Sequence, residues 1–247
     1  MKTKSVNPKE TIMQWVFTVC ACVSILAVAL ICLFLFANGL PTIAKIGPLQ
    51  FLLGTNWKPG NDLYGILPMI LGSIYVTAGA IVVGVPIGLL TAIYMSRFAS
   101  PRINKVLLPA VQLLAGIPSV VYGFFGMVVM VPAIQAVLKT DFVRKVLHIN
   151  NGRGMSLFTA SLLLGIMILP TIITVSKTSL DAVPQSYYEG SLALGATHER
   201  SVFFTVLPAA KSGVMSAVIL GIGRAIGETM AVVMVAGNQT WMPQGLF

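Results

Sequence analysis

Polar and apolar residues along this chain come in long blocks rather than in short alternation. Five stretches, approximately 12–37, 65–96, 106–131, 156–178 and 211–236, are almost wholly apolar, and polar or Gly- and Pro-containing segments separate them. Each is near or above the roughly 20 residues a helix needs to cross the hydrocarbon core of a bilayer. A backbone in lipid must satisfy its own hydrogen bonds, and runs this long do so as helices. A membrane barrel would show short strands of alternating polarity, and none is visible. The pattern predicts an all-α integral membrane protein, one transmembrane domain over 1–247, with five spans.

Composition agrees. The chain is 56% hydrophobic and 9% charged, against roughly 25% charged in a soluble domain. It cannot cover its own surface with polar groups, so membrane lipid is one of its partners. The net charge of +9 bears on topology, because Lys and Arg stay on the cytoplasmic side. No nucleic-acid motif accompanies the charge, and nucleic acid is not an expected partner. With the N-terminus cytoplasmic, the inner segments hold nine basic residues (Lys2, Lys4, Lys9, Arg97, Arg102, Lys105, Lys177, Arg200, Lys211) and the outer ones six (Lys45, Lys58, Lys139, Arg144, Lys145, Arg153). The sixteenth, Arg224, lies inside a span. The first apolar run follows three lysines as a secretory signal would, but it far exceeds the roughly 7–15 residues of a signal core, and is read as a retained helix. Cys20, Cys22 and Cys32 all fall within it without metal spacing and read as small packing residues.

Pro86, Pro109, Pro118 and Pro170 punctuate the spans and predict a kinked, shaped bundle. Gly84/Gly88 and Gly223/Gly227 have the spacing that lets helices approach closely. Residues 38–64 form an outer segment with Trp57 as an interfacial anchor. Residues 132–155 suggest a basic interfacial piece, with Ile134, Leu138 and Phe142 at helical spacing. The chain ends soon after its fifth span, which suggests that a sixth is missing.

Between the fourth and fifth spans lies a charged insert, about 181–208. Pro184 suits the first turn of a helix. Gly195 suits the left-handed residue that ends one. Thr197 suits the cap of a second helix, with Glu199 in its first turn. The residues predict a short helix–turn–helix along the bilayer, projecting Glu189, Glu199 and Arg200. On these grounds alone an ordinary cytoplasmic loop and a docking element both stand.

The stretch Glu189-Gly-Ser-Leu-Ala-Leu-Gly195, followed by Leu207-Pro208, resembles the signature of binding-protein-dependent ABC importer permeases. There, Glu-Ala-Ala precedes a Gly and later Ile-x-Leu-Pro. Glu189, Gly195, Leu207 and Pro208 fall at the matching spacing; Gly190 and Ser191 stand for the two alanines and Thr205 for the isoleucine. Further segments are similar to one branch, the PstC-type permeases of phosphate importers. They are Trp57-Lys-Pro59, Gly65-Ile-Leu-Pro68, Gly116-Ile-Pro-Ser119-Val-Val-Tyr122-Gly, Met167-Ile-Leu-Pro170, Asp181-Ala-Val-Pro184, Leu194-Gly-Ala-Thr197 and Gly223-Arg-Ala-Ile-Gly-Glu228-Thr-Met. The resemblance covers about residues 10–247. It implies a type I ABC importer permease bundle of six spans in the inner (plasma) membrane of a prokaryote. It also implies four partners besides lipid: a second permease subunit in a heterodimer, cytoplasmic ATP-binding subunits, an extracytoplasmic phosphate-binding protein, and phosphate itself. Glu189, Gly195, Leu207 and Pro208 would couple to the ATPase. No cofactor, metal or catalytic residue is implied, and no Gly-x-x-x-x-Gly-Lys-[Ser/Thr] loop is present with which this chain could hydrolyse ATP itself.

Arg224 and Glu228 fall four apart in the fifth span, on one face of an unbroken helix. A charge at the bilayer centre costs roughly 2.5–3.5 kcal/mol on insertion scales and calls for a partner inside the bundle. Two readings follow. Arg224 lines the substrate path, meeting an oxyanion through its planar guanidinium while Glu228 holds it in the empty state; or the two form a structural pair. The expected function is the permease subunit of an ATP-driven phosphate importer, not an enzyme. The alternatives are a permease for sulfate, molybdate or another oxyanion, a membrane phosphate-sensing module, and a secondary transporter.

Overall fold

The computed structural model describes residues 8–140, 154–238 and 240–242. They divide between two compact units, Met1–Leu67 and Pro68–Phe247. In the first, α1 (Pro8–Ile46) runs past the expected end of the span at Ala37, with Pro41 inside it. It stops where Gly47 takes φ +94° and Pro48 follows, a conformation and a residue that cannot continue the helix. A short α2 (Pro48–Leu53) and a two-stranded antiparallel hairpin, β1 (Trp57–Lys58) and β2 (Leu63–Tyr64), complete the unit. Trp57 meets Tyr64 edge-on, ring centroids 5.9 Å apart. Cys20, Cys22 and Cys32 are free and exposed along α1.

The second unit is built around α6 (Leu157–Asp181), which starts with the Ser156 hydroxyl accepting from Thr159 N–H. Leu163, Leu164, Met167, Ile168 and Ile172 of this helix are buried in the main core. Two neighbours reach it through glycines. A Cβ at Gly84 of α3 (Leu67–Phe98) would stand 2.8 Å from Ile168, and one at Gly88 would stand 2.9 Å from Ile172. On the other side, a Cβ at Gly221 of α9 (Lys211–Gly227) would stand 2.9 Å from the same Ile172. Ile172 is thus a knob gripped between two glycine notches, and it is wholly buried. Gly84 and Gly88 have the close-approach role their spacing suggested. Gly223 and Gly227 do not have it within this chain, for nothing lies within 4 Å of where their side chains would be.

Two of the expected spans are not continuous helices. The one read over 106–131 divides into α4 (Pro101–Gly116) and α5 (Ser119–Leu138). Proline disfavours helical backbone at the residue before it, and Ile117 takes φ −71°, ψ 126° ahead of Pro118. Pro109, by contrast, is accommodated inside α4. The one read over 211–236 divides at Glu228, which is extended (φ −81°, ψ 115°), into α9 and α10 (Met230–Ala236). The halves α5 and α10 pack together, Gly123 against Ala231 and Met234, and Gly126 against Val235.

Four described helices are long and apolar enough to cross a membrane: Lys9–Ile46 within α1, then α3, α5 and α6. A fifth candidate is the pair α8 (His198–Ala209) and α9, bent by 72°. Three of the described helices contain a π turn, Tyr94–Phe98, Gly126–Met130 and Val202–Val206, each closed by a bond five residues back, as from Ala99 N–H to the Tyr94 carbonyl at 2.8 Å. Of the basic outer piece expected at 132–155, Ile134 and Leu138 continue α5. Phe142, Arg144, Lys145 and Arg153 lie outside the described residues, as do Lys2 and Lys4.

Candidate functional site

The insert forms as two helices, α7 (Gln185–Ala193) and α8, and each end has a local cause. Gly195 takes φ +86°. Its N–H donates to the Leu192 carbonyl (2.9 Å) and Ala196 N–H to that of Ser191 (3.2 Å), which satisfies two carbonyls that the last turn of α7 leaves open. The Thr197 hydroxyl then caps α8, accepting from Arg200 N–H at 3.4 Å. Glu199 sits in that first turn, where its own backbone amide and then the Thr197 hydroxyl hold its carboxyl below the usual range.

The insert is seated by a second core cluster. Val202 and Val206, one π turn apart on α8, are buried with Ala92 and Ile93 of α3, Leu180 and Val183. Leu207 packs against this cluster, and Pro208 begins the final turn of α8 with its side chain exposed. Polar bonds cross-brace it. Tyr188 Oη and His198 Nδ1 lie 2.7 Å apart, and Ser201 donates to Ser191 at 3.0 Å. Where α6 enters the insert, Arg97 donates to the Leu180 carbonyl (2.6 Å), and Asp181 accepts from Ser96 (2.6 Å) and Lys177 (2.5 Å).

Glu189 is exposed on α7 and Leu194, at the turn, is 91% exposed; Phe204 (76%) stands beneath the Arg200 guanidinium, 5.9 Å from it. The insert therefore turns one face to the bundle and offers the other, charged and apolar together, to its surroundings. Sequence reasoning missed the braces. Ser191 stands in the motif as a departure from an alanine, yet Ser191/Ser201 and Tyr188/His198 are two polar pairs with the same separation of ten residues, a signal that could have found them.

The charged pair in the last span is not as the spacing predicts. Because the helix breaks at Glu228, the two side chains do not share one face. The Glu228 carboxylate accepts from Ala231 N–H at 3.1 Å, while Arg224 donates to Thr171 Oγ1 at 3.3 Å. Among the described residues the one ion pair is Lys177–Asp181. Nor does Arg224 face the interior of this chain; it is exposed beside the open Gly223 and Gly227.

Residues 84–247 match the family described as binding-protein-dependent transport system inner membrane component. The chain belongs to this family. It is a multi-pass membrane permease of the ABC type, the class its helices and insert point to. It is 40% identical to the probable ABC transporter permease protein YqgH of Bacillus subtilis over 95% of this chain and 74% of that protein. It is 36% identical to the phosphate transport system permease protein PstC of Haemophilus influenzae over 80% of this chain and 65% of that protein. With PstC of Mesorhizobium japonicum it shares 34% over 86% of this chain and 67% of the relative. The chain thus spans about two thirds of the length of these PstC relatives.

Proposed function

We propose that this permease is one of two similar subunits that form an alternating-access path for inorganic phosphate. Its N-terminus lies in the cytoplasm, it is fed by an extracytoplasmic phosphate-binding protein, and separate ATPase subunits drive it. The observation that carries the substrate is the 36% identity to a phosphate transport system permease over most of this chain. The ATPase docks on the exposed face of α7 and α8, and Glu189, Gly195, Leu207 and Pro208 serve this coupling: Glu189 on the outer face, Gly195 as the turn, Leu207 and Pro208 as the seat and return to the membrane. ATP then acts by stabilising one of two bundle states through the insert.

Arg224 lines the path. Its exposure within an apolar helix leaves the guanidinium, which spends one N–H on Thr171, with further donors to meet an oxyanion with two oxygens at once, and Glu228 stands at the break in the same wall. The test is uptake of labelled phosphate in cells lacking their own phosphate permease. They express the complete reading frame with its sister permease, ATPase and binding protein, under excess sulfate. ATP-dependent uptake that ignores sulfate is the expected result, and Arg224→Gln abolishes it in a complex that still assembles. No phosphate uptake from an assembled complex moves the substrate to another oxyanion; failure of the Arg224 variant to assemble makes its role structural.

A further inference from the structure

Among the described residues the carboxylate of Glu228 has one hydrogen-bond partner, and it is not a cation. It accepts from the backbone N–H of Ala231, in the first turn of α10. A first-turn N–H has no partner within its own helix. Ala231 is wholly buried, so water cannot serve it, and an orphaned buried donor is costly. The Thr229 hydroxyl, better placed by position to cap α10, makes no cap bond. Glu228 itself is extended and separates α9 from α10. The last turn of α9, directly before the break, carries Arg224.

We propose that Glu228 is a positioning residue that caps α10 and so holds the break between α9 and α10, fixing the turn that carries Arg224. It is not the counter-ion of that arginine. The cap stands on geometry alone; its effect on transport rests on the phosphate-permease reading. A cap needs an acceptor oxygen at this reach, whereas a counter-ion needs charge, and Glu228→Gln separates them by keeping the oxygen and removing the charge. Glu228→Ala removes both.

The experiment compares the two variants in the intact membrane complex, by hydrogen exchange over the amides of 229–236 and by phosphate uptake. Glu228→Ala is expected to speed exchange at Ala231 and to lower uptake by at least about tenfold, while Glu228→Gln keeps the protection and lowers uptake by no more than about threefold. Equal loss of uptake in both variants, with Ala231 protection unchanged in either, overturns the proposal in favour of a counter-ion. The exchange arm does not depend on the substrate. Deprotection in Glu228→Ala alone, from a complex that transports no phosphate, upholds the cap and removes the phosphate reading.

Discussion

Replacing Gly88 by alanine tests whether the bundle is held by glycine notches around α6. The new methyl would stand 2.9 Å from Ile172 Cγ2 and 3.1 Å from its Cβ. Ile172 cannot retreat, because the Gly221 notch on α9 grips its Cγ1 and Cδ1 from the other side. Forcing a methyl into such a contact costs about 1–3 kcal/mol, while alanine gains about 1 kcal/mol over glycine in helix propensity. The propensity gain is removed by a matched control. Gly72 lies in the same helix with nothing within 4 Å of its would-be Cβ, so Gly72→Ala shows the gain alone. The difference between the two variants is then about 1–3 kcal/mol, read as a lower thermal midpoint of the purified complex for Gly88→Ala. Ile172→Ala leaves a cavity costing about 2–5 kcal/mol by itself, but in the double variant the new methyl partly fills it, so the two losses sum to more than the measured one. Equal midpoints for Gly88→Ala and Gly72→Ala, or strict additivity with Ile172→Ala, would refute the notch.

Three further outcomes follow from local geometry. Gly195→Ala forces a side chain into φ +86° at a cost of about 1–2 kcal/mol, and lowers transport-coupled ATP hydrolysis in the assembled complex; unchanged hydrolysis would show that the turn is not needed. Thr197→Ala removes the cap of α8 at a cost of about 1 kcal/mol, seen as faster hydrogen exchange at the Arg200 amide. Tyr122→Phe removes the 2.8 Å bond from the Tyr122 hydroxyl to the Leu114 carbonyl, which clasps the break at Ile117–Pro118. It should cost about 0.5–1.5 kcal/mol, and a midpoint equal to that of the unaltered protein would rule the clasp out.

Length and unbroken apolarity made the helices legible, because in lipid a single long run satisfies its own backbone only as a helix, and a barrel would need short alternating strands. The insert was legible because caps leave local marks: Thr197 and Gly195 sit where a start and a stop require them. The breaks were not. Four prolines stand in apolar runs, and only what surrounds each one separates Pro118, which stands at a break between helices, from Pro109, which lies within one. Glu228 has no proline beside it, and its two nearest glycines resemble many others in the chain. Reading that run as unbroken carried Arg224 and Glu228 onto a shared face, and the expected ion pair was an artefact of that phase. Ile172 was equally invisible as a keystone, since its partners Gly88 and Gly221 are distant in the chain and meet it only in space.

Two of the π turns, Gly126–Met130 and Val202–Val206, stand inside a helix rather than at its end, and they have a genetic consequence. Each holds one residue more than a regular helix needs, so the helix faces before and after it stay in phase only because the surplus is absorbed locally. Deleting a single codon elsewhere in these helices would rotate everything downstream by about 100° and carry buried positions out of the core. Deleting one within Gly126–Met130 or Val202–Val206 would let the turn relax to an α turn with both flanking faces preserved. A scan of one-residue deletions along these two helices should therefore find its tolerated positions at the two turns.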